Sequence, residues 1–275
     1  MKKNKSDIIV KILLIAFALT AIYPIIWMII NSLKTAEQVI SDPIGLPQVF
    51  RFANYKEAVQ AFDFFRYLLN SSIYTIGTIL ITVICASLFA YATARIDFKQ
   101  SDLIMKYLQF GLVVPMSIII LSLYILLGDI HLKNTYIGTI LVYTASALPM
   151  SILILYAFMR SLPFELEEAA YIDGCSPFKA FYKIILPMVK SALSTVVIIC
   201  FMNYSWNEYF TAFITIDDVK MRSIPVAIGY FSTSRGTEWG LLCACLVITS
   251  IPAIILYLFG SEKIEQALTV GSAMK

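Results

Sequence analysis

Few residues in this 275-residue chain are equipped for chemistry. Glu208 is the one acid inside a long apolar run, Ser191–Ile214. A carboxylate is expensive in hydrocarbon and has to face a cavity or a partner. Asn203, Tyr204, Trp206, Asn207 and Tyr209 surround it in sequence. A polyhydroxyl ligand needs donors, acceptors and flat aromatic faces, and this mixture offers them. The same residues have a plainer use. Asn203 and Asn207, spaced i,i+4, would bond to neighbouring helices while Glu208 snorkels outward. On a continuous helix from Ser191, Glu208 lies roughly 26 Å up at about 1.5 Å per residue, toward the outer end.

Other chemistries are poorly served. His131 is the sole histidine and sits beside Asp129 and Lys133, which reads as a solvated turn. The five cysteines form no C-x-x-C pair, and all but Cys175 lie in apolar runs, which disfavours both a disulfide framework and a zinc cluster. No G-x-x-x-x-G-K-[ST] phosphate loop occurs, so the chain has no evident means of cradling a nucleotide. No catalytic residue, metal site or bound cofactor is expected. A net charge of +3 without a basic run argues against nucleic-acid binding.

The most informative polar stretch is Arg160–Lys190. Pro163 suits the first turn of a helix, and Glu165, Glu167 and Glu168 complement its positive end. Gly174 supplies a stop of the left-handed kind. Ser176 and Pro177 restart a helix as N-cap and first residue, and Pro187 precedes the next apolar run. The pattern predicts two short helices joined at a bend. Ala169 and Ala170 allow close backbone approach, and Tyr171, Phe178, Phe181 and Tyr182 add aromatic area, so the pair looks like a docking element for another protein.

The elements that must hold these residues are membrane spans. Apolar residues make up 59% of the chain and charged residues 14%, at a mean hydropathy of +0.80. Soluble domains carry about 45–50% and about 25%. Uncharged runs of 19 to 24 residues recur at Ile12–Ile30, Ser71–Ala94, Tyr107–Leu127, Tyr136–Met159 and Leu241–Gly260. Each is long enough to cross a hydrocarbon core of about 30 Å. With 191–214 they predict an all-α membrane protein of six transmembrane helices, one domain over 1–275. The first run follows Lys2, Lys3 and Lys5 but is too long for a signal-peptide core, so it reads as an uncleaved span. Placing both termini inside gives 13 basic residues on inner segments and 8 on outer ones, which favours N-in, C-in. The stretch 160–190 then lies on the inner face between spans four and five. Thr78, Thr82, Ala86, Ala90 and Ala94 repeat every four residues and read as a helix-packing stripe. Cys243 and Cys245 read as apolar filler.

The order Glu168-Ala169-Ala170, Gly174, Ile184-x-Leu186-Pro187 resembles the EAA loop of ABC importer permeases, the binding-protein-dependent transport system inner membrane component family. Further stretches are similar to its maltose-type carbohydrate branch. They are Asn31-Ser32-Leu33-Lys34, Asn54-Tyr55, Trp206-Asn207, Ser223-Ile224-Pro225 and the ending Leu268–Lys275. The pattern is closer to the shorter, six-span partner of a heterodimer. The family more often has Thr-Leu-Pro where this chain has Ser223-Ile224-Pro225.

The resemblance implies a plasma-membrane subunit that couples to an ATP-binding subunit through Glu168, Ala169, Ala170, Gly174, Ile184, Leu186 and Pro187. Its partners would be a second permease, an ATP-binding dimer that uses ATP and magnesium, an external sugar-binding protein and the lipid bilayer. The outer stretch Thr215–Gly240 reads from its charges as a solvated connector; by resemblance it reaches toward the external binding protein. Two other readings stay open: an importer for another small polar solute such as glycerol phosphate, and an ion-driven transporter with Glu208 as the coupling carboxylate.

Overall fold

The computed structural model describes residues 5–61, 63–96, 98–234 and 238–272. Lys2, Lys3, Arg235 and the final Ala273–Lys275 lie outside them. No strand occurs among the described residues. Four described helices are long and apolar enough to cross a membrane, or up to six spans if each of two bent pairs counts as one. The chain divides into two compact units, Met1–Phe65 with Ile228–Ile251, and Arg66–Ala227 with Pro252–Lys275.

In the first unit, α1 (Lys5–Ser32) turns Leu13, Phe17 and Leu19 fully outward. Hydrocarbon is the solvent in which such a helix is stable. Two short helices follow, α2 (Ala36–Ser41) and α3 (Ala53–Ala61). The residues Asn31-Ser32-Leu33-Lys34 and Asn54-Tyr55, distant in sequence, meet here. Asn54 Nδ2 donates to the Ser32 and Lys34 carbonyls at 2.7 and 2.8 Å, and the Tyr55 and Ser32 hydroxyls lie 2.7 Å apart. Lys34 is fully buried and donates to the Asp42 carbonyl at 2.7 Å. A Cβ on Gly240 would stand 2.4 Å from the Lys34 carbonyl oxygen, so only glycine fits there.

The second unit is built on α4 (Phe64–Arg95). Thr78, Thr82, Ala86 and Ala90 have no exposed surface and Ala94 little, as a packing stripe requires. Ala86, Ala90 and Ala94 enter one core with Ala147, Leu155 and Met159 of α7 (Tyr136–Ser161) and with Ile185, Ala192 and Val196.

The third apolar run departs from a straight span. It forms α5 (Ser101–Val113) and α6 (Met116–Asp129), bent by 102°. Pro115 disfavours helical backbone at its predecessor, and Val114 sits at φ −77°, ψ 113°. The fifth run departs too. After α8 (Glu165–Ile172), α9 (Pro177–Met188) meets α10 (Lys190–Ser205) at 75°. α10 ends before residue 214, and a separate α11 (Phe210–Thr215) follows. Wide π-helical turns occupy Phe181–Ile185 and Cys200–Ser205.

The stretch 215–240 is more built than a solvated connector. It contains a tight turn at Val219–Met221 and α12 (Ile224–Ser234). Val226 packs with Tyr74, Ile140, Tyr143, Ala212 and Ile216. Asn70 Nδ2 donates to the Lys220 and Arg222 carbonyls, both at 2.9 Å. The Tyr74 hydroxyl donates to the Met221 carbonyl at 2.8 Å, and the Ile224 amide donates to the Ser71 hydroxyl at 2.8 Å. Asn134, at φ 57°, accepts the Asp217 and Asp218 amides, and Lys133 pairs with Asp217 at 2.8 Å. α13 (Trp239–Ser272) is the last described helix, with Cys243 and Cys245 buried as free thiols.

Candidate coupling site

The polar stretch after α7 folds as a bent helix pair. α8 carries Glu165, Glu167 and Glu168 in its first turn, where the exposed amides carry partial positive charge. One face of this helix turns inward: Glu167 and Ala170 are buried, whereas Glu168 and Ala169 are exposed. The Glu167 carboxylate accepts from the Tyr91 hydroxyl at 2.7 Å and pairs with Arg95 Nε at 3.0 Å. Arg95 also donates from Nη2 to the Leu162 carbonyl at 2.9 Å, and its guanidinium lies 4.4 Å from the Phe164 ring centre. Removing either member of a buried pair leaves an uncompensated charge, which costs about 3–5 kcal/mol. Arg95 and Tyr91, on α4, therefore fix how α8 packs against α4.

α8 ends by the two hydrogen bonds of a Schellman cap. The Gly174 amide donates to the Tyr171 carbonyl at 3.0 Å, and the Cys175 amide donates to the Ala170 carbonyl at 2.9 Å. Gly174 has φ +78°, the left-handed region that favours glycine. Ser176 restarts the chain, its hydroxyl accepting from the Lys179 amide at 3.4 Å, with Pro177 as the first helical residue. On α9, Ala180, Phe181 and Ile185 are buried, Ile184 and Leu186 are half-buried, and Pro187 is exposed. Phe181 packs on Tyr91 with ring centres 4.9 Å apart.

The opposite side of the pair is apolar and bare. Ile172 is 87% exposed, Phe178 70% and Tyr182 63%, beside the exposed Glu168 and Ala169. An uncovered apolar group rimmed by charge marks a contact surface, for a protein or for lipid.

The polar residues of the fifth run are placed differently from a continuous helix. Trp206 is buried and stacked on Phe201, with ring centres 5.1 Å apart. Asn207 is exposed, and its side-chain Nδ2 donates to the Met202 carbonyl at 3.0 Å. Asn203 is exposed and Tyr204 half-buried. The Glu208 carboxylate accepts from the Thr211 amide and hydroxyl at 3.0 Å and from the Ala212 amide at 3.3 Å. It closes the start of α11 rather than standing midway along a helix. No cluster able to hold a metal occurs among the described residues.

Sequence reasoning did not single out Tyr91, Arg95 or Glu167 as a site. The available signal was phase: Glu167 and Ala170, three apart, share a helix face that Glu168 does not.

The family described as binding-protein-dependent transport system inner membrane component matches residues 79–269. The probable ABC transporter permease protein YurM of Bacillus subtilis is 32% identical over 95% of this chain and 86% of its own length. The diacetylchitobiose uptake system permease protein NgcG of Streptomyces coelicolor is 30% identical over 94% of this chain and 86% of its own. One solved chain, from a bacterial ABC transporter involved in the import of the acidic polysaccharide alginate, superposes with a TM-score of 0.83. It covers 95% of this chain and 99% of that one at 22% identity, a likeness of fold. The chain is an integral membrane protein, and it belongs to the binding-protein-dependent transport system inner membrane component family.

Proposed function

We propose that this chain is one of two membrane-spanning subunits of a carbohydrate importer in the plasma membrane, driven by ATP hydrolysis on separate subunits. Six spans with both termini inside, within one transmembrane domain, are part of this reading. The excess of basic residues on the inner segments supports that orientation. The observation that carries the proposal is the bare apolar bend around Gly174, held to the span bundle through Glu167. A membrane subunit with no phosphate loop needs such a lever to receive work from a nucleotide-hydrolysing partner.

In this reading the exposed Glu168, Ala169 and Gly174 meet the ATP-binding subunit, the buried Ala170 seats their helix on the span bundle, and Ile184, Leu186 and Pro187 join the lever to the fifth span. Nucleotide and magnesium belong to that partner. Diacetylchitobiose and alginate, named for two relatives, support a carbohydrate cargo. Asn203, Tyr204 and Asn207 face the pathway, while Trp206 and Glu208 shape the segment that carries them. The outer stretch 215–240 meets the external binding protein.

The test is a crosslinking residue at Glu168 in membranes, with mass identification of what it captures. An ATP-hydrolysing subunit is expected. Uptake that persists with no such capture refutes the proposal.

A further inference from the structure

The grip on the inner bend and the grip on the outer turn belong to one helix. At its inner end, α4 offers Tyr91 and Arg95. Tyr91 holds both arms of the helix pair, by its hydroxyl on Glu167 and by its ring on Phe181. Arg95 holds Glu167 and the Leu162 carbonyl. At its outer end, α4 offers Asn70, Ser71 and Tyr74, which bind the carbonyls of Lys220, Met221 and Arg222 and the amide of Ile224. Asn70 is itself oriented by the Tyr136 hydroxyl at 2.7 Å.

From Asn70 to Arg95 a helix rises about 38 Å at about 1.5 Å per residue, more than a hydrocarbon core of about 30 Å. The middle of α4 is packed into the bundle through its buried Thr78, Thr82, Ala86 and Ala90. Alone among the four long described helices it has no proline; the others carry Pro24, Pro149 and Pro252.

We infer that α4 is a strut joining the bent helix pair at the inner face to the Val219–Ile224 turn at the outer face, so that an event at either end biases the other. Tyr74, Asn70, Tyr91 and Arg95 are its positioning residues. Coupling between sites is reciprocal: if nucleotide binding at the inner bend shifts the outer turn, a protein bound to the outer turn changes nucleotide affinity by the same factor. This inference rests on the proposed function and adds the route by which the two faces communicate.

The test uses the assembled importer reconstituted in lipid vesicles, with hydrolysis stimulated by its loaded binding protein. Tyr74→Phe and Tyr91→Phe each delete one hydroxyl and keep the ring. Each is expected to reduce the stimulation roughly fivefold or more, within the usual range of coupling. The double variant is expected to be no worse than the worse single one, because both breaks lie on one route. Full stimulation in both variants, or losses that multiply independently, overturns the strut. A second measurement uses the otherwise native chain with a single spin label at the exposed Val219. A non-hydrolysable ATP analogue should move the Val219 label; a stationary one overturns the inference. Failure of the native chain to bind any ATP-binding subunit refutes instead the function on which the inference rests.

Discussion

Gly174→Ala is expected to strain the bend without any clash. The backbone there has φ +78°, and no heavy atom lies within 4 Å of where a Cβ would be built. An L-residue in this region costs roughly 1–2 kcal/mol from its own backbone. At about 2–4 °C per kcal/mol, the isolated chain should lose roughly 2–8 °C in its thermal midpoint. Gly174→Asn should recover part of the loss, since asparagine visits this region with local hydrogen bonding. Gly174→Leu should resemble Gly174→Ala, because nothing in this chain meets the side chain. Gly240→Ala should be worse than either, because its methyl would stand 2.4 Å from a backbone oxygen. The assay is thermal unfolding of each detergent-purified variant. If leucine at position 174 is far more damaging than alanine, or if alanine has no effect, the reasoning from backbone strain is refuted. A dependence on side-chain size that emerges only in the assembled importer would instead reveal the partner's surface.

Glu167→Ala should destabilise by about 3–5 kcal/mol, whereas the double variant Arg95→Met, Glu167→Leu should recover much of that, because no charge is left unpaired. Glu168→Gln, on the exposed face, should change unfolding by no more than about 0.5 kcal/mol. Glu208→Ala should loosen the start of α11 by about 1 kcal/mol, read as faster amide exchange at Thr211 and Ala212. The Asp217 carboxylate and the Tyr124 hydroxyl hold the Lys133 ammonium above the usual lysine range. A raised value means that the contact is fully present below the ordinary lysine pKa and is lost as pH rises through the raised one. Acylation of Lys133 should therefore begin at a lower pH in Asp217→Asn than in the native chain.

Local signals in the sequence carried far. Gly174, Ser176 and Pro177 act within three residues of themselves, and the bend they specify is the one observed. The four-residue repeat from Thr78 to Ala94 depends only on helical periodicity, and it is buried as expected. Composition located the apolar runs but not their interruptions. Val114-Pro115 breaks the third because proline acts on its predecessor: Pro115 is legible as a candidate kink, as are Pro24, Pro149 and Pro252, but a count of apolar residues does not single it out for a 102° bend. The extent of the fifth failed for a related reason: apolar composition continues past Ser205, whereas the helix does not. The pairing of Glu167 with Arg95 was illegible because it joins residues far apart in the chain, and neighbouring Glu165 and Glu168 have the same chemistry. Only the phase of α8 decides which carboxylate turns inward.

The wide turns at Phe181–Ile185 and Cys200–Ser205 have a genealogical consequence. A π turn bonds i to i+5, so it accommodates one more residue than an α-helix while the flanking segments keep their faces. Each therefore marks a place where an ancestral helix could have gained a single codon. Relatives shorter by one residue at either place should retain the same packing of Val189 and Val196, whereas a one-residue deletion between the two turns would rotate everything beyond it by about 100°.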